Sequence, residues 1–164
     1  MKNENLGIYL NDHLAGSVGA LELLERLIRT YEDHSIVGFC REIKSEVEAD
    51  QQVLRNVMAA LGVEESAFRK ASAWVAEKLS RAKLAIERND SGEIGLVEAL
   101  EGLVLGIKGK EGLWSALAGI QATWAPLKQF DFSRLKQRAV EQAMRVETMR
   151  LSAATEAFQP SPSV

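Results

Sequence analysis

The sequence predicts an all-α protein: an antiparallel, up-and-down bundle of five long helices. Three observations predict it. Apolar residues recur at spacings of three and four along nearly the whole chain, which lines them up on one stripe of a helix. No segment alternates with period two and no Asn-Gly or Asp-Gly hairpin turn occurs, so nothing reads as a sheet. Residues that end helices stand between the periodic segments, at Gly62, in "ERNDSG" and at Pro126.

Each element follows from its own stripe. Leu10, Leu14, Ser17, Leu21, Leu24, Ile28 and Tyr31 mark a first helix over residues 5 to 32. Ile36, Cys40, Ile43, Val47, Asp50, Leu54, Val57 and Leu61 mark a second, and Gly62 supplies a residue that accepts the left-handed conformation of a C-terminal stop. Phe68, Ala71, Val75, Leu79, Ala82 and Ile86 mark a third, with Glu64 and Glu65 near the positive end of its dipole. Asp90 and Glu93 have the spacing of a capping box, from which a fourth helix runs to about Thr123. After "TWAPLKQF", Phe132, Leu135, Ala139, Gln142, Val146, Met149, Ala153 and Ala157 mark a fifth. Helices of about 25 residues, each roughly 38 Å long, bury such stripes most simply by packing antiparallel.

At 164 residues the chain reads as one helical-bundle domain over residues 1–158, followed by a disordered C-terminal tail over 159–164. Its 20 Lys and Arg nearly balance 23 Asp and Glu and are spread along the chain, so there is no basic stripe for a phosphate backbone and nucleic acid is not an expected partner. Cys40, the single cysteine, sits in an apolar context and reads as a reduced packing residue rather than a nucleophile. The N-terminus leads into no signal-peptide core and no apolar run approaches the length of a membrane span, so the expectation is a cytoplasmic protein with no membrane partner.

The stretch "GLVLGIKGKEGLW" carries four glycines inside an apolar run. A phosphate loop would need a preceding strand and a Gly-Lys-Ser/Thr ending, and "GKEG" has an acid where the hydroxyl belongs. On a helical wheel Gly95, Gly102, Gly106 and Gly109 instead share one narrow arc of the fourth helix. Each interior glycine costs about 1 kcal/mol relative to alanine, which close packing of a neighbouring helix, or of an aromatic such as Trp74, would offset. A small ligand lying along the groove would use the same bare surface. The fourth helix is apolar on most sides, which suits a central position and also self-association into a homo-oligomer.

Polar residues interrupt the stripes. Asp50, Gln142, Ser17 and Lys110 occupy seam positions, and Glu25 and Glu101 flank theirs. With helices alternating in direction, Ser17, Asp50, Lys78, Lys110 and Gln142 fall near mid-height. Two readings fit. In one, Asp50 pairs with Lys110 or Lys78 and Gln142 bridges them, a buried polar layer that fixes register. In the other, inward carboxylates drawn from Asp50, Glu25 or Glu22, and Glu101 hold a metal or a polar ligand, as bundle cores can. The histidines limit that second reading: neither His13 nor His34 follows a glutamate by three residues, so the Glu-x-x-His pair of a di-iron bundle is missing and no cofactor is expected. No nucleophile elbow or active-site cysteine signature occurs, and no catalytic residue is assigned.

The stretches "YLNDHLAGSVGALELLERL", "EVEADQQVLRNVMAALG", "ASAWVAEKLSRAKL", "LEGLVLGIKGKEGLW" and "RAVEQAMRVETMRLSAA" resemble those of a set of bacterial proteins placed in the ferritin-like superfamily without an assigned reaction. The resemblance runs from about Tyr9 to Phe158, and "LGIKGKEGLW" is its most specific word. It implies a ferritin-like bundle of a bacterial cytoplasm. The superfamily's iron ligands do not carry over, because both histidine positions depart from its pattern. The expected function is a non-catalytic binding or protein-interaction module with a small-molecule or protein partner. The alternative is a degenerate ferritin-like metal-binding protein or oxidoreductase with carboxylate ligands.

Overall fold

The computed structural model describes residues 4–32, 35–65, 80 and 93–160. Among them stand four α-helices: α1 (Glu4–Thr30), α2 (Ile36–Ala60), α3 (Glu93–Ile120) and α4 (Phe132–Ala157), with a 3-10 turn at Ala125–Gln129 before the last. The all-α class holds, and no strand occurs among the described residues. The count of five helices is corrected to four. The expected third helix, with Trp74 and Lys78 on it, lies outside the described residues, as do His34 and Asp90.

The side-chain bonds fix the helix directions. Along α1 and α2, Asn11 donates to the Glu64 carbonyl at 3.2 Å, Gln51 to Ser17 at 2.8 Å, and Lys44 lies 3.5 Å from Glu25, so the two helices are antiparallel. Along α3 and α4, Glu101 faces Arg150, Lys110 bonds Gln142, and Trp114 stacks on Phe132, again antiparallel. Glu42, Glu46 and Asp50 of α2 meet Arg145, Gln142 and Arg138 of α4 in reverse order, and α1 packs on α3. Every neighbouring pair therefore runs antiparallel, while α2 and α3 are parallel across the diagonal. Residues 61–92 join them, so one long connection separates two helical hairpins.

Capping accounts for several boundaries. Gly62 adopts φ 64°, while its N–H reaches the Ala59 carbonyl at 3.1 Å and the Val63 N–H reaches that of Met58 at 2.9 Å. This is a Schellman stop, which satisfies two of the carbonyls that a helix end leaves free. At the start of α4, the Asp131 side chain accepts from the Arg134 N–H at 3.0 Å. Between α3 and α4, the Gln121 amide donates to the carbonyls of Leu127 and Phe130, holding the Pro126 turn while Leu127 fills the core.

The core is built from the expected stripes, with Leu10, Leu24, Ile43, Val57, Leu100, Leu117, Ala139 and Val146 all essentially inaccessible. No helix of the described residues is long and apolar enough to cross a membrane. Replacing Gly62 with alanine puts a Cβ into the left-handed region, and we expect a loss of about 1 kcal/mol, read as a lower urea midpoint at unchanged m-value.

Candidate functional site

The centre of the bundle holds one continuous polar network. Asp50, only 2 % exposed, comes from the middle of α2, and Lys110 comes from the middle of α3. The Lys110 ammonium donates to Asp50 Oδ2 at 2.5 Å and to Gln142 Oε1. Gln142 then turns its amide group outward and donates to Glu46 Oε2 at 2.7 Å. Arg145 closes the chain on Glu46 and Glu42 and lies over the ring of Phe39. On the other side, Asp50 Oδ1 makes an ion pair with Arg138 at 2.9 Å, although the two are not aligned as a hydrogen bond.

The charges cancel: the carboxylates of Asp50, Glu46 and Glu42 face the cations of Lys110, Arg138 and Arg145. Exposure rises along the chain from Asp50 through Glu46 to Glu42, at 2 %, 35 % and 69 % for the side chains, so the network grades from dry core to solvent. Burial pushes the Lys110 ammonium below the usual lysine range, against the pull of Asp50. For Glu46 burial works upward, but the hydrogen bonds from Arg145 and Gln142 and the charges of Arg145 and Lys110 hold its carboxyl below its ordinary 4.5.

The structure thus brings together three of the residues singled out from the sequence, Asp50, Lys110 and Gln142, and leaves two outside. Glu25 is at the surface facing Lys44, and Glu101 is at the surface 3.9 Å from Arg150. Both flank their stripes by one step around the helix, and that step turns them to solvent. Hence Asp50, Glu25 and Glu101 do not converge, and among the described residues no three of His, Cys, Asp and Glu form a metal-binding group. Ser17 joins a separate chain, accepting from Gln51, whose own carbonyl accepts from Arg55 at 2.7 Å. The Cys40 thiol is buried and pushed up to about 11 by that burial, which leaves no thiolate for nucleophilic chemistry at neutral pH.

Beside this layer, α1, α2 and α3 border a half-open cavity of about 340 Å³. Its walls are mostly apolar, and Asp50, Lys110 and Gln51 are among the residues that line it. His13 and Tyr9 of α1 line it as an edge-to-face pair with centroids 4.6 Å apart. Burial lowers the His13 pKa below 6.5, against the charge of Asp12, so the ring is mainly neutral at pH 7. Trp114, 1 % exposed, is also among the lining residues, and its Nε1–H has no acceptor among the described residues.

Three of the glycines lie on this wall: Gly102, Gly106 and Gly109. Close helix packing does not explain them all. At Gly106 and at Gly109 a Cβ would meet nothing within 4 Å, and both residues are exposed, whereas Gly95 is buried. Sharing an arc on a helical wheel does not say whether a neighbour stands over it.

Sequence reasoning passed over Glu42, Glu46, Arg138 and Arg145, although the signal was readable. Glu42, Glu46 and Asp50 repeat at intervals of four on α2, while Arg138, Gln142 and Arg145 repeat at four and three on α4. Two facing stripes of opposite charge predict a network rather than a single pair. Nothing in a sequence marks an indole whose N–H will lack an acceptor among the described residues. The chain matches no family model, no curated protein and no solved structure.

Two predictions follow from the network. Asp50→Ala leaves the Lys110 ammonium buried with only Gln142, and we expect a loss of about 3 kcal/mol in urea unfolding, partly recovered by adding Lys110→Met. Glu46, with its folded pKa depressed, contributes stability above its unfolded value and loses it as pH falls through the folded value. Melting curves taken between about pH 6 and pH 3 should therefore fall less steeply for Glu46→Gln than for the parent chain.

Proposed function

We propose that this chain is a non-catalytic binding module whose α1–α2–α3 cavity takes a small, mainly apolar molecule. The observation that carries the reading is the cavity itself. At about 340 Å³ it sits at the lower end of the range of about 300–1,000 Å³ typical of small-molecule sites, with mostly apolar walls and a few polar groups contributed by all three helices. The bare glycines on its wall support the reading. Gly106 and Gly109 forgo about 1 kcal/mol each relative to alanine, as do Gly112 and Gly119 of the same helix away from the cavity, and on the wall the missing side chains leave room for an occupant.

A catalytic role has less behind it. Of the titratable groups on the cavity wall, Asp50 and Lys110 are bonded to each other, and an acid or base tied into an ion pair is poorly placed for proton transfer, while His13 is packed against Tyr9. The carboxylate metal site fares likewise, since the Lys110 ammonium stands between Asp50 and Gln142 where a cation would have to sit. We carry the ferritin-like resemblance within this proposal. What speaks for it is the connectivity of the four helices, two hairpins joined by one long connection, which ferritin-like bundles share.

The test uses N-phenyl-1-naphthylamine, a neutral probe that fluoresces when it leaves water. The parent chain should bind it saturably at one site. Gly106→Leu should abolish that binding while keeping or raising the thermal midpoint, because leucine is the better helix former and has room to enter. Unsaturable binding by the parent chain, or equal binding by the variant, would refute the reading.

A further inference from the structure

The cavity is long as well as apolar. Ser17 of α1 bonds Gln51, the neighbour of Asp50, and Asp50 bonds Lys110, so Ser17 and Lys110 mark nearly one height on α1 and α3. From that height the lining extends back to Tyr9 on α1 and back to Gly102 on α3. Each lies eight residues before its marker, which is about 12 Å of helix at 1.5 Å per residue. Because α1 and α3 run antiparallel, the two stretches lead in opposite directions, and the lining covers about 24 Å along the bundle. A volume of about 340 Å³ spread over that length is a slot and not a round pocket.

The walls say what such a slot can hold. In its lower half α3 presents Gly102, Gly106 and Gly109 at spacings of four and three, which puts them on one bare helix face along that half. In the middle, Asp50 and Gln51 are only 2 % and 7 % exposed, and the Lys110 ammonium is held by Asp50 and Gln142, so an apolar occupant passes there without parting any charge from its partner. Tyr9, Asp12 and His13 supply polar atoms at the opposite end. That end holds the Asp12 carboxylate and a mainly neutral His13 ring, so it suits an uncharged head rather than an acid. A compact molecule would fill one stretch of the slot, whereas a straight chain touches its walls throughout, and apolar area removed from water drives the binding. Resting on the binding reading above, we infer that the cavity takes a single straight hydrocarbon chain, with an uncharged polar head beside His13 and a tail that runs past Lys110 toward Gly102.

The experiment titrates the full chain calorimetrically with 1-hexanol, 1-octanol, 1-decanol and 1-dodecanol. Affinity should rise about fourfold for each added methylene through the whole series, because each finds further apolar wall. Gly106→Leu puts a side chain across the path of the tail. It should leave 1-hexanol binding within about twofold of the parent, as a substitution away from the contacts does, and remove the gain from 1-decanol to 1-dodecanol. Dodecanoate should bind more weakly than 1-dodecanol. The parent series decides the matter by itself if the variant does not fold. Affinity that levels off by 1-octanol, in a parent chain that still binds N-phenyl-1-naphthylamine at one site, would overturn the chain inference and leave the binding reading intact. An undiminished series in Gly106→Leu would overturn the path assigned to the tail. Tighter binding of dodecanoate than of 1-dodecanol would overturn the uncharged head. Binding of neither the alcohols nor N-phenyl-1-naphthylamine would sink both readings.

Discussion

The ammonium of Lys110, held between Asp50 and Gln142, is the constraint on which the middle of this bundle depends. An isolated charge in an apolar core is several kcal/mol too costly to persist, so Asp50 and Lys110 can be buried only together. That requirement links α2 to α3 across the diagonal of the bundle, where apolar side chains alone would tolerate sliding. A one-turn slip of either helix, about 5.4 Å, would separate the pair and leave both groups uncompensated. The bond fixes relative height more than it adds net stability.

The same requirement explains why the network does not stop at two residues. Asp50 has a second oxygen to satisfy, which draws in Arg138, and the Gln142 amide must donate once its carbonyl is committed to Lys110, which draws in Glu46. Glu46 in turn holds Arg145 at the edge of the protein. Each step moves toward solvent, so the last charges need little from the interior and contribute little to it. A polar chain that begins in a dry core has to end at water, and this one does so between α2 and α4, on the side away from the cavity.

Much of this was legible in the sequence. The stripes of α1, α2, α3 and α4 lay close to their observed limits because period and capping act locally, as at Gly62 and Asp131. The meeting of Asp50, Lys110 and Gln142 followed from mid-height positions on long antiparallel helices. What could not be read was rotation about a helix axis. Glu25 and Glu101 lie one step from their seams, and that step separates a core residue from a surface one. That no neighbour among the described residues stands over Gly106 and Gly109 was hidden as well, because an uncovered face leaves no mark on the residues that form it.

The glycines, the indole and the polar wall all border one cavity. In a bundle selected for stability alone, alanine at positions 106 and 109 would add roughly 2 kcal/mol in all, a large share of the 5–15 kcal/mol that holds a typical domain together. An acceptor for Trp114 would remove a further buried, unsatisfied donor. Gly106 and Gly109 fall on the wall of the cavity, while Gly38, Gly112 and Gly119 leave a Cβ equally unopposed away from it, so an open glycine does not by itself mark a site. The cavity and the ion network meet at Asp50, which stands on the cavity wall with its Oδ1 lacking a hydrogen-bond partner among the described residues, and there the proposed binding is to be sought.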